Sequence, residues 1–149
     1  MATGKSSDPA AFRFFNEVGI IEQLARTRFD RVLPKNMSVA QFSVLNHFVR
    51  LGGERSLVEL ARAFQVSKPA MGKLVQRLAA QRLLALRGNP DDSRGKLVSL
   101  TPRGAAARDA AIVALEPELV RLQRALGAEV FAASLANLAR VRQWLDDNR

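Results

Sequence analysis

Apolar positions recur at helical spacing along most of the chain, and the breaks between them carry helix-capping residues. Asp8 and Pro9 predict an N-cap followed by proline at the first helical position. An apolar-rich segment follows, with Phe12, Phe15, Ile20, Leu24 and Val32, and stops at Leu33-Pro34. Ser38 with Gln41 three residues on is a capping-box pattern and opens a second helix. Its expected apolar face is Phe42, Leu45, Phe48 and Val49, and Gly52-Gly53 ends it. Ser56 with Glu59 repeats the pattern for a short third helix, whose stripe is Leu57, Leu60, Ala61 and Phe64. Ser67 caps a fourth, running to about Arg82. Its Met71, Leu74, Val75 and Leu78 share one face.

The period changes after that point. Leu83 to Arg87 is short and apolar, and Lys96 to Leu100 alternates polar and apolar as a half-buried strand does. Between them Gly88-Asn89-Pro90-Asp91-Asp92-Ser93-Arg94-Gly95 is dense in turn residues. The expectation is a β-hairpin with an eight-residue polar loop. Thr101-Pro102 then caps a long Ala-rich fifth helix with Ile112, Leu115, Leu119, Leu122 and Leu126. Pro117 should kink or interrupt it, and Gly127 should end it. A last helix carries Phe131, Leu135, Leu138, Val141, Trp144 and Leu145.

This order of elements is that of a mainly α winged helix-turn-helix chain with a small β-hairpin wing. Three segments are expected: an N-terminal helix over 8–33, a winged helix-turn-helix region over 38–100, and C-terminal helices over 101–149. Gln65-Val66 joins the third and fourth helices in a tight turn of the kind used by DNA-reading helix pairs. The apolar residues of the outer helices exceed what the winged segment can cover. A homodimer with an apolar interface is therefore expected.

Charge sharpens this picture. The net charge is +9, but residues 50–104 alone hold 11 Lys/Arg against 4 Asp/Glu, while residues 105–149 balance at 6 against 6. A basic middle third within a balanced chain is a polyanion footprint. With its core side on Met71 and Val75, the fourth helix presents Lys68, Pro69, Gly72, Lys73, Gln76 and Arg77 outward. Lys and Arg can read guanine, and Gln adenine, in a major groove. Ser67 stands at the helix N-terminus, where amide groups and the dipole favour a phosphate. Gly72 is costly in mid-helix, and close approach of the helix to DNA is one reason to keep it. The plain alternative is a solvated surface helix. Arg94 is placed at the hairpin tip, between Arg87 and Lys96, and fits a minor groove. Asp91 and Asp92 beside it would bond turn backbone or orient Arg94. Here the plain alternative is a surface hairpin with charged edges.

Other chemistries lack their residues. There is no cysteine and one histidine, which excludes disulfides, thiolate metal sites and thiol redox sensing. His47 reads as a half-buried polar residue rather than a ligand. No catalytic constellation, phosphate loop or metal spacing stands out, so no enzyme and no cofactor are expected. No apolar run is long enough to span a membrane. The opening MATGKSSDPAAF lacks the layout of a signal peptide, which makes the cytoplasm the expected location.

From Val66 to Gly104 the chain closely resembles the multiple-antibiotic-resistance-regulator (MarR) family. VSKPAMGKLVQRL is similar to its recognition helix. NPDDSRGKLVSLTPRG is similar to its wing signature, matched here at Asp92, Arg94, Leu100, Thr101 and Gly104. Two positions depart from the pattern. Arg82 stands where the family often has glycine, which implies a different turn into the hairpin. Ser93 stands where a second wing arginine is common, leaving the minor groove to Arg94. The resemblance implies a homodimer interlocked through its first, fifth and sixth helices, bound to a palindromic operator. The expected role is a transcription regulator, with repression the expected sign, released by a small aromatic or acidic effector. Phe12, Phe15 and Phe48 would line an effector pocket or simply pack a core. The competing class is a protein-interaction module that kept the winged fold without DNA affinity.

Overall fold

The computed structural model describes residues 7–149, so the first half of the opening stretch MATGKSSDPAAF lies outside the described residues. The elements run α1 (Ala10–Val32), α2 (Val39–Leu51), β1 (Arg55–Ser56), α3 (Leu57–Phe64), α4 (Lys68–Ala80), β2 (Leu84–Asn89), β3 (Asp92–Leu100), α5 (Pro102–Leu126) and α6 (Ala128–Asp147). The fold is mainly helical with one antiparallel sheet of order β1-β3-β2. Two compact units divide the chain, one reaching to Ala114 and the other Leu115–Arg149.

The first unit holds the winged domain. Val44, Leu45 and Phe48 of α2, Leu60 of α3, Met71, Val75 and Leu78 of α4, Leu83 and Leu84 at the start of the hairpin, and Val98 of β3 are all buried. The Met71–Val75–Leu78 face of α4 is thus the expected one. On α2 Leu45 and Phe48 of the expected face are buried, joined by Gln41 and Val44, while Phe42 is half-buried. Val49 is exposed. Gln41 tolerates burial because its side-chain oxygen accepts from the Ser38 amide at 2.9 Å while its own amide donates to Ser38 Oγ. Both expected capping boxes form, the second between Ser56 and Glu59. His47 is half-buried, its ring centred 5.3 Å from that of Phe64.

Several boundaries differ from expectation. Pro9 itself is the N-cap of α1; its extended ψ of 139° starts the helix at Ala10, and its carbonyl accepts from Arg13. The fourth helix stops at Ala80. Arg82 takes a left-handed φ of 62°, and Leu83 N donates to Leu78 O at 2.9 Å, the six-to-one closure of a Schellman motif. The missing glycine is therefore met by strain at Arg82. The expected interruption at Pro117 is not found: α5 runs unbroken through it. The ring forfeits one intrahelical bond, and the Ala, Leu and Glu around it are strong helix formers that carry the helix past.

The hairpin is also tighter than its composition suggests. The strands extend to Asn89 and Asp92, so only Pro90 and Asp91 form the turn. Gly88 pairs with Lys96 but Asn89 pairs with Asp92, which leaves Ser93, Arg94 and Gly95 as a bulge on β3. Strand β1, two residues long, was not foreseen; Arg55 pairs with Val98 and Ser56 with Leu97.

The outer helices are poor in buried residues. None of α1 is buried, and Phe12, Phe15, Ile20, Ile21 and Leu24 are exposed. In the second unit none of α6 is buried, and Phe131, Leu135, Leu138 and Trp144 are exposed.

Candidate nucleic-acid interface

The α3–α4 turn is built by local chemistry. Gln65 adopts a left-handed φ of 53°, and Val66 N donates back to Ala61 O at 3.0 Å. The Gln65 side chain adds a bond to Arg62 O at 2.6 Å. Ser67 then caps α4 by accepting from Ala70 N. Pro69 has no amide hydrogen, Ala70 donates to Ser67 Oγ, and Met71 donates to Ser67 O. The Lys68 amide is what remains in the first helical turn for a phosphate, fewer donors than the sequence suggested.

Beyond that turn α4 presents a basic outer face. Lys68, Pro69, Lys73, Gln76 and Arg77 are exposed, opposite buried Met71, Val75 and Leu78. Gly72 is half-buried, yet a Cβ built on it meets nothing within 4 Å. No packing inside the chain requires glycine there.

On the wing, Arg94 lies in the β3 bulge rather than at the turn, and it is exposed. Asp92 Oδ1 accepts from the Arg94 amide at 3.0 Å, and Asn89 Oδ1 accepts from Asp91. The Asp of the wing signature thus shapes the bulge that carries the arginine. Lys96 is exposed beside it. Arg87 is exposed but engaged: its Nε donates to Glu54 Oε2 at 2.6 Å and its Nη2 to Glu54 Oε1 at 3.1 Å. The hydrogen bond and charge of Arg87 hold the Glu54 carboxyl below its usual range, and Glu54 raises the Arg87 guanidinium in turn. Glu54 was not foreseen, because 33 positions separate the partners.

The wing is fastened to α5 through Thr101. Its hydroxyl donates to Arg82 O at 2.7 Å, lies 3.0 Å from Leu83 O, and accepts from Gly104 N. Asn46 of α2 similarly receives Arg108 of α5 through Nε and Nη2, at 3.1 and 3.0 Å, a link with no sequence signal. Among the described residues no cluster of His, Cys, Asp or Glu is arranged to hold a metal.

A family model described as MarR family matches residues 35–95, from just before α2 to the wing bulge. The multiple antibiotic resistance protein MarR of Salmonella typhimurium is 34% identical over 100 residues, covering 62% of this chain and 69% of that protein. The chain belongs to the MarR family.

Two solved structures extend the likeness of this family member beyond the matched segment. A mutant MarR from E. coli complexed with operator DNA is 29% identical with a TM-score of 0.61, covering 85% of this chain and 96% of that one. BpsR of Bordetella bronchiseptica, whose DNA binding is regulated by 6-hydroxynicotinic acid, is 27% identical with a TM-score of 0.65, covering 85% and 98%. As a MarR-family protein the chain is a winged-helix transcriptional regulator. No described helix is long and apolar enough to cross a membrane.

Proposed function

We propose that this MarR-family regulator is a repressor that binds a palindromic operator as a homodimer, reading it with the outer face of α4. The observation that carries the reading is the two-sided build of that helix. Met71, Val75 and Leu78 are locked in the core while Lys68, Lys73, Gln76 and Arg77 stand exposed on the other side. In this reading Lys73, Gln76 and Arg77 meet base edges. Ser67, Lys68 and Pro69 lie against a phosphate at the helix start. Gly72 lets the helix approach closely. Arg94, with Lys96 beside it, enters the flanking minor groove, and Arg87 lies on the backbone-facing side of the wing.

The operator-bound E. coli relative supports the DNA partner. The unburied apolar residues of α1, and separately those of α6, support a partner chain: Phe12, Phe15 and Leu24 on one, Phe131, Leu135 and Trp144 on the other. BpsR supports release by a small aromatic acid. Phe48 is core, so the effector wall drawn from Phe12, Phe15 and Phe48 loses that member. The test is selection of duplexes from a random pool, followed by footprinting. A palindromic consensus protected on both half-sites is expected. Failure to enrich any sequence, together with no retention on heparin at moderate salt, would instead favour a protein-interaction module.

A further inference from the structure

Arg87 is the one cation of the proposed interface that the structure shows already matched by a carboxylate. Glu54 precedes β1 at one edge of the sheet, and Arg87 lies on β2 at the other, with β3 between them. The ion pair therefore spans the sheet and joins the α2–α3 connection to the wing. It is two-pronged, through Nε at 2.6 Å and Nη2 at 3.1 Å, with both side chains open to solvent at 57% and 39% exposure.

We infer that Glu54 is an electrostatic brake on DNA binding, holding Arg87 neutralised so that it adds no net charge to the polyanion footprint. The inference rests on the DNA-binding reading above. Affinity for a duplex grows with the number of counterions that protein cations displace, and a cation already matched by a carboxylate displaces none on balance. A phosphate approaching Arg87 also meets the negative charge of Glu54. Lys68, Lys73, Arg77, Arg94 and Lys96 have no such carboxylate partner among the described ion pairs. Glu54 thus lowers the general attraction to DNA while leaving the base-reading face of α4 untouched. A regulator that must leave its operator gains from this, because non-specific retention falls more than selectivity does.

The test uses the full chain and its selected operator, beside a scrambled duplex of equal length, titrated at several salt concentrations. Glu54→Gln keeps the side chain's size and removes its charge. It should bind both duplexes several-fold more tightly at about 0.1 M salt, with a log–log salt slope steeper by about one. Selectivity between the two duplexes should not change. Arg87→Ala alone leaves the Glu54 charge unmatched and should weaken binding to both duplexes, while Glu54→Gln with Arg87→Ala should return close to wild-type affinity and slope. A purely structural role predicts the opposite: Glu54→Gln would weaken binding, and the double variant would not recover it. Wild-type binding with an unchanged or shallower slope in Glu54→Gln overturns the inference alone. A wild-type chain that binds no duplex overturns the DNA-binding reading and the inference together.

Discussion

The carbonyl oxygen of Leu83 lies 2.0 Å from where a Cβ on Gly104 would stand. The first turn of α5 rests directly on the backbone that leaves α4, and Leu100 Cδ1 closes the same space at 2.7 Å. Backbone cannot swing aside as a flexible side chain can. Gly104→Ala should therefore destabilise the winged unit by about 3 kcal/mol, at the upper end of the usual cost of overpacking. Urea denaturation checks this; a loss under 1 kcal/mol would mean that α5 shifts freely against the α4–β2 turn.

Arg82 carries its left-handed φ without the freedom of glycine. The conformation costs a non-glycine residue about 1–2 kcal/mol, and glycine gives back about 0.5–1 kcal/mol in unfolded-chain entropy. Arg82→Gly should raise stability by about 0.5–1 kcal/mol, seen as a higher melting temperature.

Gly72 offers a separation of stability from function. A Cβ there meets no atom of the chain, so Gly72→Ala should strengthen α4 by about 1 kcal/mol. The same methyl would stand between the helix and a closely approached duplex. Operator affinity should fall while the melting temperature rises. A variant that is more stable and binds equally well would remove close approach as the reason for glycine.

Reading and holding should also separate. Arg94→Ala should weaken binding broadly, flatten the salt dependence by about one and reduce any preference for A·T-rich flanks. Gln76→Ala and Arg77→Ala should instead relax preference at particular base pairs, by about 1–3 kcal/mol per lost bidentate contact. Competition assays with point variants of a selected operator distinguish the two patterns.

The outer helices predict assembly. Sedimentation at micromolar concentration should give a dimer, and two recognition helices about 34–36 Å apart should match operator half-sites one turn apart. Substituting Leu135 and Trp144, both 65% exposed, with Glu should shift the species toward monomer or loosen the chain. A stable, folded wild-type monomer would refute the dimer.

Helix starts were legible wherever one side chain satisfies amides within its own turn, as Ser38, Ser56 and Ser67 do. The buried stripe of α4 was legible for a similar reason, since a 3.6-residue period is a local property. What escaped depends on distant chain. Two residues make no alternating pattern, so β1 exists only because β3 is there to pair with it. The residues Asn89 and Asp92 read as turn because Asn and Asp favour turns, yet pairing draws them into strands. Within the candidate site, the outer face of α4 was readable from its period, and Arg94 from the signature. The restraint of Arg87 by Glu54 was not, because nothing local links two residues 33 positions apart.

Ser56 ends β1 and caps α3 at once. Its backbone aligns with Leu97 of β3 while its hydroxyl accepts from Glu59 N at 3.1 Å. The helix-turn-helix and the wing are thereby geared through one residue. A strand that slipped by one position along β3 would drag the first turn of α3 out of its cap, so the hairpin cannot change register cheaply. Motions of the wing should be felt at the base of the reading helix pair, and the amides of Glu59 and Leu97 should open to solvent together in hydrogen exchange, as parts of a single cooperative unit.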